Sequence, residues 1–254
     1  MSFIFVGNWK MNPASAEDAR HLFNAYKKLA QKFARKRVSF IVAPSAPHLG
    51  LLSQVKRPKN LFLAGQDVFY EREGPFTGFI SPLMLYGIGA DYIILGHSER
   101  RTLGETNEII AKKIKASVKV RLKPIVCIGE SSRDTEGEFW HELRKQIEET
   151  FHGISKVEAG KVIIAYEPVW AVGEKSRGAI KPNDLQETIL FIRKTFSHLY
   201  GGKLGRALPI LYGGSVFSFD AKDLALVQGV SGFLAGRASL NKKEAATILD
   251  EIFK

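Results

Sequence analysis

The chain of 254 residues has one cysteine, Cys127. A single thiol excludes an intrachain disulfide and the small secreted scaffolds that such bridges hold together, and it points to a reducing compartment. Long hydrophobic runs are also missing, and no segment approaches the roughly 20 apolar residues that span a bilayer. The opening stretch, Met1-Ser2-Phe3-Ile4-Phe5-Val6, has neither a basic region nor a cleavage site. It is expected to be a first strand rather than an export signal, and the expected location is cytoplasmic. No His/Cys/Asp/Glu cluster has metal-ligand spacing, and there is no Gly-x-Gly-x-x-Gly turn or Walker-type loop. Linkers and low-complexity tracts are absent too, so a single domain over residues 1–254 is expected.

Basic residues are plentiful. Thirty-seven Lys and Arg against 26 Asp and Glu give a net charge of +11. Such a balance can steer anionic substrates or attract nucleic acid. The basic residues are nonetheless scattered, and the runs Arg35-Lys36-Arg37 and Lys112-Lys113 fall on or near expected helix surfaces. The plain reading is a solvated basic exterior.

Eight short β-rich runs recur: 3–7, 38–43, 61–65, 92–96, 124–129, 162–166, 209–213 and 232–236. Most are continuously apolar rather than alternating, as in strands covered on both faces. Helical stripes lie between them. Ser15-Ala16-Glu17-Asp18 has the form of a capped start, followed by Leu22, Phe23, Tyr26, Leu29, Ala30 and Phe33 at helical spacing. Another stripe, Leu185 to Leu199, follows Pro182 at a helix start. Eight strand–helix units in this length predict an α/β fold, a single (β/α)8 barrel, with an open doubly wound sheet as the competitor.

In a barrel, chemistry gathers just after the strands. Those positions hold Asn8 and Lys10, Gln66 and Asp67, His97 to Arg101, Cys127 and Glu130, Glu167, Gly213-Gly214-Ser215, and Gly236-Arg237-Ala238-Ser239. Each has a bland reading: Lys10 as surface, Cys127 as a core thiol, His97 as a helix cap, Gly213-Gly214 as a plain turn. Glu167, between an apolar strand and Pro168, is either a solvated strand-end carboxylate or a base under a lid. Glycine turns that open helices suit a phosphate, and barrels often hold one after their last two strands.

These motifs resemble the triosephosphate isomerases along the whole chain. The carrying stretches are Gly7-Asn8-Trp9-Lys10-Met11-Asn12, Gly96-His97-Ser98-Glu99-Arg100-Arg101, Val126-Cys127-Ile128-Gly129-Glu130, Ala165-Tyr166-Glu167-Pro168-Val169-Trp170-Ala171-Val172-Gly173, Leu211-Tyr212-Gly213-Gly214-Ser215-Val216 and Gly232-Phe233-Leu234-Ala235-Gly236. The resemblance implies interconversion of dihydroxyacetone phosphate and glyceraldehyde 3-phosphate, with no cofactor and no metal. It makes Glu167 the base and His97 the group that polarises the carbonyl, a division of labour known for the family. Lys10 would stabilise the enediolate and the dianion, Asn8 would position substrate and Lys10, and Glu99 would be a buried polar partner. Gly173, Ser215, Gly236 and Arg237 would give N–H groups to the phosphate. Residues 168–178 would be the lid, with Tyr212 binding it when closed and Val172 and Leu234 pressing on Glu167. The family also implies a homodimer in which Thr77 reaches the neighbouring site. The rival reading is a phosphate- or nucleic-acid-binding barrel without catalysis.

The sequence departs from the family at several points. Glu174-Lys175-Ser176-Arg177-Gly178 replaces the usual end of the lid, and Gly236-Arg237 replaces a Gly-Gly. Asp67 stands for an Asn. Phe79 stands for the acid that in the family pairs with the arginine matched by Arg100, so a dimer interface has to do without that ion pair.

Overall fold

The computed structural model describes residues 3–134, 136–171 and 180–254. Its strands are β1 (Phe3–Asn8), β2 (Val38–Ala43), β3 (Leu61–Gly65), β4 (Tyr92–Leu95), β5 (Lys123–Ile128), β6 (Ile163–Tyr166), β7 (Ile210–Tyr212) and β8 (Val230–Ala235). The helices are α1 (Ala16–Lys32), α2 (Ala46–Ser53), α3 (Pro82–Gly87), α4 (Ser98–Thr102), α5 (Asn107–Lys119), α6 (Glu138–Thr150), α7 (Lys156–Ala159), α8 (Pro182–Tyr200), α9 (Gly202–Ala207), α10 (Ala221–Leu226), α11 (Arg237–Leu240) and α12 (Lys242–Phe253). The strands pair in parallel and in chain order, and β1 pairs with both β2 and β8. That closure decides for the barrel over an open sheet.

The apolar strand runs follow from burial on both faces. Val6, Ile41, Ile94, Ile125, Cys127, Ala165, Leu211 and Leu234 fill the barrel interior. Their neighbours Phe5, Phe40, Leu63, Ile93, Val126, Ile164 and Phe233 pack outward against the helices. Side chains alternate between the two faces at period two, so both sets must be apolar. α1 begins as expected: the Ser15 hydroxyl accepts from the Asp18 N–H at 3.0 Å. It buries Phe23, Tyr26 and Ala30, with Tyr26 packed against Phe5 and Phe40. Each large side chain buried this way contributes about 2–3 kcal/mol.

Most strand boundaries shift by one or two residues from expectation, and two of the shifts are explained by glycines. β8 starts at Val230, two residues before Gly232. Gly232 has φ +150° and pairs with Ile4, whose carbonyl oxygen would lie 1.9 Å from a Cβ placed there. The glycine therefore permits close strand contact rather than marking an end. β4 stops at Leu95 because Gly96, at φ +67°, turns the chain toward α4. A third correction concerns Lys113, expected on a solvated surface. It is buried at 2 % exposure, because its ammonium meets the carboxylates of Asp67 and Glu105 inside the fold.

Candidate active site

The C-terminal ends of the strands converge on one polar mouth. Asn8 ends β1 and is buried; its side-chain oxygen accepts from the Lys10 N–H at 3.0 Å. Lys10 sits at φ 52°, left-handed for a residue with a side chain, which costs about 1–2 kcal/mol. The Gln66 amide compensates by donating to the carbonyls of Lys10 and Ala43, both at 2.8 Å. Backbone strain held in place at a lysine is a mark of a positioned group. Its ammonium donates to Glu99 at 2.5 Å. Glu99 itself is a correction: its side chain is 58 % exposed, not buried. His97 takes the buried position at the start of α4, and Glu99, two residues on, faces the open mouth.

His97 caps α4. Its Nδ1 accepts the Glu99 N–H at 3.2 Å, so Nδ1 carries no proton and the ring hydrogen sits on Nε2. That Nε2 lies 3.4 Å from Glu167 Oε1. The imidazole, 7 % exposed, thus carries its one N–H on the nitrogen nearest the carboxylate.

Glu167 follows β6 and is 2 % exposed. Two glycines make room for it. A Cβ at Gly129 would lie 1.8 Å from the Glu167 carbonyl oxygen, and one at Gly213 would lie 2.7 Å from its Cγ. Glu167 Oε2 accepts the Ser98 N–H at 3.1 Å, while Oε1 makes no hydrogen bond, the His97 Nε2 at 3.4 Å included. The carboxylate lines a small side cavity with Gly96, Ser98 and Arg101. It is parked beside the main cavity rather than pointing into it. Cys127, beneath it, is a buried thiol as expected, pushed well up first by burial and then by the neighbouring Glu167 charge.

The main cavity, about 690 Å³, is lined by Lys10, His97, Ser215, Leu234, Gly236 and Arg237 among others. Ser215 is already engaged: its N–H and hydroxyl both donate to the Ala171 carbonyl, at 3.2 and 2.9 Å. Ala171 ends a short 3-10 turn, Val169–Ala171, after Pro168. On its other side the turn is tied to Glu130, which is fully buried and accepts from Trp170 Nε1 at 2.9 Å and from the Tyr166 hydroxyl at 2.8 Å. That charge and burial together push the Tyr166 phenol well up, burial being the larger cause. The Tyr212 hydroxyl accepts from the Ile180 N–H at 3.4 Å. Val172, Gly173 and the stretch from Glu174 to Gly178 lie outside the described residues.

A carboxylate, an imidazole and a lysine, gathered at the C-terminal mouth of an eight-stranded barrel, match one family throughout. The family model for triosephosphate isomerase covers residues 3–252. A protein of Thermoanaerobacter pseudethanolicus named triosephosphate isomerase is 36 % identical over 249 residues, which is 97 % of this chain and 98 % of that one. One of Citrifermentans bemidjiense with the same name is 39 % identical over 249 residues, 97 % of each chain. One of Carboxydothermus hydrogenoformans is 37 % identical over 249 residues, 96 % of each. The chain belongs to the triosephosphate isomerase family.

Two departures from the pattern of triosephosphate isomerases meet in one place. Arg100 Nη2 lies 2.7 Å from Asp67 Oδ2, and its Nε lies 3.5 Å from Glu105 Oε1. Asp67 also accepts from Lys113 at 2.6 Å. Asp67 therefore gives Arg100 an anion within its own chain, while Phe79 is 53 % exposed and carries no charge. Burial raises the Asp67 carboxyl, and the nearby Lys113 pulls it back down. This network was not found from sequence, and Arg101 stood there only as part of the run after His97, with no role. Arg101 donates to the carbonyls of Gly96 and Cys127 at 2.7 and 3.1 Å, and desolvation lowers its guanidinium. The only available signal was the double arginine after the histidine, which does not say which partner each one takes.

Proposed function

We propose that the protein interconverts dihydroxyacetone phosphate and D-glyceraldehyde 3-phosphate, with Glu167 as base, His97 as electrophile and Lys10 as the cation at the developing oxyanion. One juxtaposition carries the reading: a buried carboxylate 3.4 Å from an imidazole whose Nε2 holds the ring proton, beside a cavity that Lys10 lines. Glu167 takes a proton from the carbon next to the carbonyl and returns it to the neighbouring carbon. The His97 Nε2–H supports the carbonyl oxygen as negative charge builds there, and Lys10 stabilises that charge. To reach substrate, the Glu167 carboxylate leaves the Ser98 N–H and turns from its side cavity into the main one. Leu234, which lines that cavity and is 2 % exposed, then shields the base from water. Asn8 holds Lys10 in its strained turn.

Phosphate binding falls to the turns after β7 and β8. Ser215, Gly236 and Arg237 lie there, and for the Ser215 N–H to bind phosphate its contact with Ala171 has to loosen. Gly173 and the lid complete the assignment. The enzyme works without cofactor or metal, in glycolysis and gluconeogenesis, in the cytoplasm. Among the described residues no helix is long and apolar enough to cross a membrane.

A homodimer belongs to the same reading. The loop between β3 and α3 leaves Phe76 and Phe79 exposed at 38 and 53 %, their rings packed on Phe69, with Thr77 between them. A groove of about 520 Å³, lined by Met11, Gln66, Phe79 and Leu103, opens beside Lys10 and His97. Thr77 of one copy entering this groove of the other would give a two-fold contact.

A coupled assay with dihydroxyacetone phosphate tests the reading. Glu167→Gln should lose about 10²- to 10⁴-fold in kcat. Activity retained within tenfold would sink the assignment.

A further inference from the structure

Lys10 is gripped from two sides. Gln66, just past β3, donates to its carbonyl at 2.8 Å, and Glu99 in α4 accepts from its ammonium at 2.5 Å. The next residue along each segment is half of an ion pair. Asp67 follows Gln66, Arg100 follows Glu99, and Arg100 Nη2 lies 2.7 Å from Asp67 Oδ2. A closed ring results, running from Lys10 through Glu99, Arg100, Asp67 and Gln66 back to Lys10, and all five residues line one groove. α4 has another tie, through Arg101 to the carbonyls of Gly96 and Cys127. That tie runs to the ends of β4 and β5 and does not reach the segment that holds the Lys10 carbonyl.

The carboxylate of Asp67 is what closes the ring. Its Oδ1 accepts from Lys113 at 2.6 Å, and its Oδ2 faces Arg100. Both oxygens thus meet cations, and in that shape only a carboxylate offers two acceptor oxygens. An amide there would turn its NH2 toward one of the two. Lys113 is 3 % exposed and sealed inside, whereas Arg100 is 40 % exposed and can swing into solvent. The amide would therefore keep Lys113 and release Arg100. We propose that Asp67 is a positioning residue: by holding Arg100 it fixes the spacing of the two segments that grip Lys10, and so the place of the ammonium over the reacting atoms. The proposal rests on the isomerase reading above and deepens it, since it assigns the placement of the oxyanion's cation to a brace within one chain.

A displacement of about 1 Å at a reacting group can cost about 10²-fold in rate. Asp67→Asn leaves Gln66 and Glu99 in place, so kcat on dihydroxyacetone phosphate should fall about tenfold. Two readouts separate the placement of Lys10 from a general loss of folded protein. Calorimetric binding of 2-phosphoglycolate, whose carboxylate stands for the developing oxyanion, should weaken about tenfold. Binding of inorganic phosphate, which relies on the turns after β7 and β8, should weaken by about threefold at most. In a double-mutant cycle, Arg100→Gln should cost about as much as Asp67→Asn, and the double variant no more than either. Arg100→Gln also breaks the brace from its other end should Asp67→Asn fail to fold. Equal binding of 2-phosphoglycolate by the wild type and Asp67→Asn would overturn the proposal, as would additive losses in the cycle. If the wild type proved inactive on dihydroxyacetone phosphate, the isomerase reading would fail. Unequal weakening of the two ligands would then still support the role of Asp67, and equal weakening would overturn it.

Discussion

Lys113 is a buried charge outside the candidate site, and its removal has a calculable cost. Its side chain is 3 % exposed, and it donates to Asp67 at 2.6 Å and to Glu105, which is 5 % exposed. Lys113→Met keeps the buried stem and removes only the ammonium. Two carboxylates, one of them nearly sealed from water, then remain with Arg100, which is 40 % exposed and 3.5 Å from Glu105. Breaking a buried pair on one side costs about 3–5 kcal/mol, because the partner charge stays desolvated. For a chain of this length each kcal/mol lowers Tm by about 2–4 °C, so a fall of about 10 °C is expected. Calorimetry or urea unfolding at fixed protein concentration measures it.

The pH dependence gives this prediction its sign. Burial already raises Asp67 above its unfolded value, and Lys113 is the strongest influence lowering it again. Without Lys113 the carboxyl rises further. A carboxyl raised in the folded state costs stability while ionised, and the cost disappears as pH falls through its folded value toward its unfolded one. The Lys113→Met deficit should therefore be largest near pH 8 and shrink toward pH 5. Adding Asp67→Asn and Glu105→Gln should recover at least half of it at pH 8. A deficit under about 1 kcal/mol, or one that is flat with pH, would refute the reasoning.

Two further outcomes follow from the same geometry. Gly213→Ala places a methyl 2.7 Å from Glu167 Cγ, a side-chain atom that can shift, so kcat should drop about 10- to 100-fold while Tm moves by only a few degrees; an unchanged kcat would show that the glycine does not set the carboxylate's position. Sedimentation at micromolar concentration should show a dimer that Phe79→Asp weakens at least tenfold, since the change puts a charge on an exposed ring of the proposed contact; a monomeric wild type would exclude that contact.

Much of the molecule was legible before any coordinates. The apolar runs of β1 to β8 fitted strands covered on both faces, because they are short and continuously apolar rather than alternating. Ser15 and Pro182 marked helix starts through the backbone groups that they satisfy or omit. The candidate site was legible for a different reason: motifs around Asn8, His97, Glu167 and Gly213 are long and occur in family order. Burial of individual charges was not legible. Lys113 looks like its neighbour Lys112, which is 51 % exposed and pairs with Glu108 on the surface of α5. Glu99 was misjudged in the opposite direction.

The sequence by itself determined the strand–helix alternation and the family, since these depend on residue type and order along the chain, whereas the closure of β8 on β1 decided for the barrel over an open sheet. Only the tertiary structure decided which of two adjacent lysines is sealed inside, that Asp67 rather than residue 79 holds Arg100, and that Glu167 waits on the Ser98 N–H beside its cavity. The reason is physical. Desolvation, charge pairing and side-chain clearance are set by groups that come together from different strands, and separation along the chain carries no measure of those distances.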